Sequence, residues 1–281
     1  MSKQKVLTDR EQVIAKSNDL IRKTRYSLTT QQQKIVLFCI SKIKPGDKVD
    51  TEYKLDIKDL AAACGWNIQD GGYYYDRVKA DLREMMKREF YMMPDGVERS
   101  LSWIGDAEIR EKDGTATITF NKNLQPYLFE LKERYTMYKL KNVLAFRGKY
   151  GIRLYEILRS FTTQKAIDNG EEKEITLSVE DLRYQLDIKG YDRWADLNNY
   201  VLRPAVKEIN ELAEDINVSY QQISEHGRTI SKVNFLIAPA GLRQKTEAFI
   251  TRKERLDHVK IRRSPEEKAK RKANKPGQNV K

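Results

Sequence analysis

The chain has 281 residues, 40% of them hydrophobic and 33% charged, with a net charge of +12. That balance is globular, with room for one large domain or two of ordinary size. It argues against a membrane protein, because the longest apolar run, Ile35 to Ile40, is far too short to cross a bilayer.

The charged start, MSKQKVLTDR, has no apolar run behind it and does not read as an export signal. The expected location is therefore the cytoplasm. Residues 1 to about 16 read as a loose lead-in. In the next segment, SNDLIRKTRYSLTTQQQKIVLFCISKI, Thr29 or Thr30 can cap a helix carrying Ile35, Val36, Leu37, Phe38, Ile40 and Ile43. So many adjacent apolar residues imply burial on most sides. Lys44-Pro45-Gly46-Asp47 breaks the helix. A short extended piece, Tyr53 to Leu55, leads into DIKDLAAACG, a short helix capped by Asp56 and stopped by Gly65. Beyond a glycine-containing turn lies an amphipathic helix, about Tyr73 to Phe90. Val78, Leu82 and Met85 point inward, and Arg77, Lys79, Arg83 and Lys87 are available outward. Two helices joined by a turn, the second one basic, match a helix-turn-helix. Ser100 to Trp103 and Glu108 to Phe120 then alternate apolar with polar residues, and Asp113-Gly114 marks a two-residue hairpin turn. A hairpin after a helix-turn-helix is the wing of a winged helix.

The same order then returns. A buried helix, about Lys149 to Phe161, is followed by a polar loop. Thr176 to Leu182, TLSVEDL, then echoes Lys54 to Leu60, KLDIKDL, at an offset of 122. Tyr191-Asp192-Arg193 echoes Tyr75-Asp76-Arg77 at an offset of 116, which implies a turn six residues shorter in the second copy. NVSYQQI and ISKVNFLIA flank Ser224 to Arg228 as a second wing. The fold class is therefore α+β: two tandem winged-helix domains related by an internal repeat of about 120 residues, with their boundary near Glu130 to Lys139. The expected division is a lead-in over 1–16, a first winged helix over 17–132, a second over 133–240 and a tail over 241–281. The tail holds 14 Lys and Arg against 5 Asp and Glu, a net +9 of the +12. Its end lacks apolar periodicity and reads as a flexible basic tail.

The stretch Tyr191 to Asp215 carries the chemistry. Trp194, Leu197, Val201, Ala205, Ile209 and Leu212 form one apolar side of a helix, and Asp196, Asn199, Tyr200, Arg203, Lys207 and Asn210 fall opposite. By itself this is also an ordinary amphipathic surface helix. Within a second helix-turn-helix it reads as a DNA-recognition helix. Arg pairs with guanine O6 and N7 and Asn with adenine N6 and N7, so Arg193, Asn199, Arg203 and Lys207 are the candidate contacts, the first two nearest the bases. Tyr200 either bonds a phosphate or packs. Pro204 lacks an N–H and clashes with the preceding turn; it either kinks the helix or breaks it in two. In the first domain the candidates are Arg77, Lys79, Arg83 and Lys87, and Arg228 stands at the tip of the second wing. Two domains in adjacent major grooves, about 10–10.5 bp apart, predict a site of roughly 20 bp.

Enzymatic signatures are missing from the sequence. Gly148-Lys149 has no glycine five residues earlier, so there is no phosphate-binding loop. The histidines, His226 and His258, lie far apart and make no metal pair, and none of the 15 tyrosines has a neighbouring metal site to activate it. Cys39 and Cys64 read as small buried thiols. No catalytic residue, cofactor or metal is expected.

The chain resembles the iteron-binding initiators of theta-replicating plasmids, the superfamily that includes the F-plasmid and RepB-type Rep proteins. The resemblance runs from about Ser17 to Pro239, through SNDLIRKTRYSLTTQQQKIVLFCISKI, LQPYLFELKERYTMYKL, KYGIRLYEILRSF, VLRPAVKEIN and GRTISKVNFLIAP. It implies a monomer that binds directly repeated double-stranded origin sites, and a dimer, joined through the first domain, that represses its own gene from an inverted repeat. The resemblance favours a kinked but continuous element at Pro204, and the expected function is a replication initiator that also helps to open the adjacent origin duplex and recruits the host initiator and replicative helicase. A departure is Gly71-Gly72-Tyr73-Tyr74-Tyr75, which lengthens the first turn. The competing readings are a winged-helix repressor with no replication role and, from another class, a DNA-nicking replication enzyme.

Overall fold

A computed structural model describes residues 12–67, 72–224 and 229–241. The first half runs β1 (Val13–Ser17), α1 (Asn18–Arg22), β2 (Thr24–Arg25), α2 (Thr30–Ile40), β3 (Tyr53–Asp56), α3 (Ile57–Ala63), α4 (Tyr73–Lys87), β4 (Glu89–Met92), β5 (Arg99–Ser102), β6 (Ile104–Arg110) and β7 (Thr115–Phe120). A connecting region holds α5 (Gln125–Leu128), β8 (Tyr135–Lys139) and α6 (Lys141–Leu144). The second half runs α7 (Lys149–Arg159), α8 (Gln164–Asp168), β9 (Lys173–Ser178), α9 (Val179–Gln185), α10 (Trp194–Leu197), α11 (Arg203–Leu212), β10 (Ile216–Ile223) and β11 (Lys232–Pro239).

The repeat is visible in the hydrogen bonding. In the first half the sheet order is β3-β7-β6, and in the second it is β9-β11-β10. In each, the strand that leads into the helix-turn-helix pairs antiparallel with the last strand of the wing. The KLDIKDL and TLSVEDL segments owe their likeness to one local device. Leu55 and Leu177 are buried strand residues, and the next residue, Asp56 or Ser178, caps the helix by accepting from the backbone N–H of Asp59 or Asp181. The two copies are thus one winged helix each, with β2, β4 and β5 forming an additional small sheet in the first.

Two helices occupy the centre. Thr29 and Gln32 form a reciprocal capping box that starts α2, and Ile35 to Ile40 are all buried, as their unbroken apolar character requires. Helix α7 carries buried Ile152, Leu154, Tyr155, Ile157 and Leu158 together with three buried charged residues, Arg153, Glu156 and Arg159. Glu156 is paired with Lys16 of β1 at 2.6 Å, both being essentially inaccessible, and it accepts from the hydroxyls of Tyr138 and Tyr26. Arg153 donates to the carbonyls of Ile21, Thr24 and Gln185, which ties α7 to the first half on one side and to α9 on the other. Burial alone would push the Glu156 carboxyl up, but Lys16 and Arg153 hold it below the ordinary range. Burial pulls Lys16 down, and Glu156 opposes that.

Several expectations change at this level. The lead-in is a strand from Val13 onward: β1 pairs with β8 from Val13↔Lys139 to Ser17↔Tyr135, burying Ile14 and Lys16. Helix α4 stops at Lys87, because Phe90 belongs to β4 and pairs with Leu101. The first wing turn encloses four residues, Glu111 to Gly114, between paired Arg110 and Thr115. The N–H of Asp113 bonds back to the Arg110 carbonyl, and Gly114 takes the left-handed conformation at φ +63°. The Tyr75-Asp76-Arg77 echo is not structurally equivalent, since Tyr75 lies inside α4 whereas Tyr191 precedes α10. The reading helices start at Tyr73 and Trp194, 121 positions apart, so the second turn is not six residues shorter. Cys39 and Cys64 are buried free thiols, and burial pushes Cys64 up to about 12. The tail beyond Gly241 lies outside the described residues.

Candidate nucleic-acid interface

The second reading element is one helical run from Trp194 to Leu212. Its middle, Asn198–Leu202, is a turn of π-helix. Leu197, Asn198, Leu202 and Arg203 all keep right-handed helical angles, so Pro204 does not break the chain. Proline sits in the first turn of α11, where its missing N–H costs least. The widened turn before it separates its ring from the carbonyls it would otherwise meet. The inward side, Leu197, Val201, Ala205 and Ile209, is fully or almost fully buried, joined by Leu202 and Val206.

The outward side brings together Arg193, Asn199, Tyr200, Arg203 and Lys207, all exposed. Arg193 stands at the helix start, 82% exposed, paired with Asp196 at 2.8 Å, and this pairing raises its pKa further. Tyr200 is 63% exposed and stacks on Tyr191, with ring centres 5.7 Å apart. Arg203 lies against the hydroxyl of Tyr220 on β10. Burial raises that hydroxyl's pKa, and Arg203 acts in the opposite direction. Lys207 is 71% exposed, with Glu211 only loosely paired at 3.8 Å. Four cationic or amide side chains and a tyrosine therefore share one solvent-facing surface, each with donors able to reach an acceptor-rich groove. Asn210 is on no such surface. Its amide bridges the N–H and carbonyl of Val218 at 2.7 and 2.8 Å, pinning α11 to the wing strand.

The first reading helix is more mixed. Arg77, Arg83 and Lys87 are exposed, and Arg77 lies over the Trp66 ring at 5.6 Å. Lys79 is not on that face. It is turned to the wing, where it pairs with Glu111, and is 20% exposed. The spacing placed it outward, but Glu111 in the hairpin turn captures its ammonium group. Asp76 and Glu84 stand among the exposed cations, Glu84 bound to Arg88. Arg228 lies outside the described residues.

Two features escape a reading of the sequence. Lys189, 74% exposed, stands in the turn before α10; its place beside Gly190 in the helix-turn-helix loop was the available signal. Glu208, on the flank of α11, accepts from the backbone N–H of Arg147 at 2.9 Å and of Gly148 at 3.1 Å, capping α7 from outside. Nothing in a linear pattern marks a cap 60 residues away. Among the described residues there is no acidic, histidine or cysteine group able to hold a metal, and no helix long and apolar enough to cross a membrane.

A family model described as the initiator replication protein WH1 domain matches residues 13–159, more than half of the chain, and one described as the initiator Rep protein WH2 domain matches residues 178–237. The chain belongs to the initiator replication protein family. A replication initiation protein of Escherichia coli is 29% identical over 205 residues, which are 71% of this chain and 62% of that protein. An uncharacterized 27.6 kDa protein of the same organism is 31% identical over 109 residues, 39% of this chain and 43% of that one. The matches thus span less than two thirds of either relative. The crystal structure of the Pi initiator protein in complex with iteron DNA resembles this initiator-family chain with a TM-score of 0.67 at 18% identity, over 83% of this chain and 99% of that one. That likeness shows the shared fold, two winged-helix domains in tandem.

Proposed function

We propose that the chain is a plasmid replication initiator that binds directly repeated double-stranded origin DNA as a monomer, without enzymatic activity, in the cytoplasm. The observation that carries this reading is the outward face of α10 and α11, where Arg193, Asn199, Tyr200, Arg203 and Lys207 converge on a winged helix of the initiator family. Arg77, Arg83 and Lys87 of α4 supply a second, weaker contact one groove away. Residues 17–132 and 133–240 are the two functional units, and the basic residues of the 241–281 segment and Arg228 add positive charge for a polyanionic partner. A dimer joined through the first unit represses the gene from an inverted repeat, and the DNA-bound monomer recruits the host initiator and helicase. The Pi initiator, whose structure was solved with iteron DNA, supports the substrate class.

Footprinting on DNA flanking the gene tests the reading. Tandem protections of about two helical turns each are the expected result. A single protected palindrome, with a minimal replicon that copies normally after deletion of the gene, would favour a dedicated repressor. A covalent tyrosine–DNA adduct formed on supercoiled DNA with a divalent metal would overturn the non-enzymatic assignment.

A further inference from the structure

The two reading helices are linked through α2 by a series of polar contacts. On the first, Asp81 of α4 accepts from the Gln32 amide of α2 at 3.1 Å. In the same first turn of α2, the Thr30 hydroxyl donates to the Arg147 carbonyl at 3.1 Å, and the buried Gln33 amide donates to the Lys149 carbonyl at 3.2 Å. The same short segment is gripped from the other side. The N–H groups of Arg147 and Gly148 donate to Glu208, on the second reading helix. The carbonyls of Arg147 and Lys149 are thus held by the first domain, and the N–H groups of Arg147 and Gly148 by the second. Gly151 completes the joint, since a Cβ there would collide with the Glu208 carboxylate. The N-terminus of α7 has no side-chain cap of its own, which leaves its positive end for Glu208.

We propose that the chain Asp81–Gln32, Thr30/Gln33–(147–149)–Glu208 fixes the rotational phase between α4 and α11, so that the protein measures the spacing between the two grooves it reads. The inference rests on the DNA-binding role proposed above. Thr30, Gln33, Glu208 and Gly151 are positioning residues: none needs to touch DNA. One extra base pair between the two contact regions turns the second groove by about 34°. A rigid joint cannot follow this rotation, and a loosened one can.

The test uses the full-length chain and the duplex that the wild type enriches from a random-sequence pool, with its protected grooves located by footprinting. Wild-type affinity is expected to fall at least tenfold when one base pair is inserted between those grooves. Glu208→Ala binds the original duplex more weakly but loses less than threefold on insertion. Gly151→Ala behaves like Glu208→Ala, and combining them adds nothing, because both act by removing the same cap. Gln33→Leu and Glu208→Gln provide milder versions if either variant melts early, and thermal unfolding by circular dichroism identifies that case. A loss of stability without a change in spacer tolerance would mean that the contacts only hold the fold together, and overturns the proposal. So does wild-type tolerance of the insertion, or protection of only one groove. Failure to enrich any sequence instead sinks the DNA-binding reading itself.

Discussion

The two reading helices share topology and differ in what they present. Helix α4 is a regular helix begun at Gly72, which takes φ +90°. Its cations alternate with Asp76 and Glu84, and Lys79 is already committed to Glu111 of the wing. In the second domain, α10 and α11 are joined by a π turn; on their outward face Arg193 is paired with Asp196, Lys207 is loosely held by Glu211 at 3.8 Å, and Arg203 lies against the Tyr220 hydroxyl. The contrast teaches that a shared fold does not imply a shared surface: α4 mixes its cations with acidic residues and gives Lys79 to the wing, whereas α10 and α11 set theirs beside Asn199, an amide able to pair with a base edge.

The largest predicted effect removes the frame that holds the two helices together. Glu156→Gln leaves Lys16 and Arg153 buried without their counter-charge, and unfolding in denaturant should show a loss of about 3–5 kcal/mol. The same pair predicts acid sensitivity. Glu156 is held below its ordinary pKa in the fold, so its contribution is present above the unfolded carboxylate value and is lost as pH falls through the lower folded one. Stability that stays flat through that acid window would show that folding does not lower the Glu156 pKa.

Next in size is the double change Arg203→Ala with Lys207→Ala. It should weaken specific binding by roughly tenfold to several hundredfold, and reduce the slope of log affinity against log salt by about 2. The matched pair Arg83→Ala with Lys87→Ala on α4 should cost less. An equal or larger loss from the α4 pair, read in the same titration, would reverse the ranking of the two helices. Pro204→Ala comes third. With the ring gone, the π turn is free to tighten locally, which shifts Arg203 relative to Asn199 while the buried side chains of α11 keep their places. Stability should change by less than about 1 kcal/mol, while discrimination between specific and random duplex falls several-fold. Unaltered discrimination would show that the π turn is independent of the proline. Lys79→Ala is the smallest effect. Because its partner Glu111 is 63% exposed and solvent-screened, its loss should change stability by about 0–1 kcal/mol and DNA affinity hardly at all. A loss comparable to that of Arg203 would place Lys79 on the DNA.

Much of this architecture can be read from the chain alone because its signals are local. Thr29, Asp56 and Ser178 are caps whose partners lie three residues away, and the inward stripe Leu197, Val201, Ala205 and Ile209 follows from helical periodicity. The exposed face carrying Arg193, Asn199, Tyr200, Arg203 and Lys207 follows from the same periodicity, and survives the π turn because both flanking segments are anchored by buried side chains. What local pattern could not give was the fate of Lys79, Asn210 and Glu208. Each lies at a spacing that suggests solvent, and each is engaged by a group distant in sequence.

The sequence by itself therefore determined the two winged-helix units, their order and the side of the second helix that faces out, because caps, turns and apolar periods act over three to five residues. Only the tertiary structure decided how Pro204 is accommodated, that β1 returns to β8, and that Glu208 of the second reading helix closes the end of α7. Those outcomes depend on which backbone groups are left without partners once the chain is packed, and such groups are satisfied by whatever side chain the fold brings near, irrespective of its distance along the sequence.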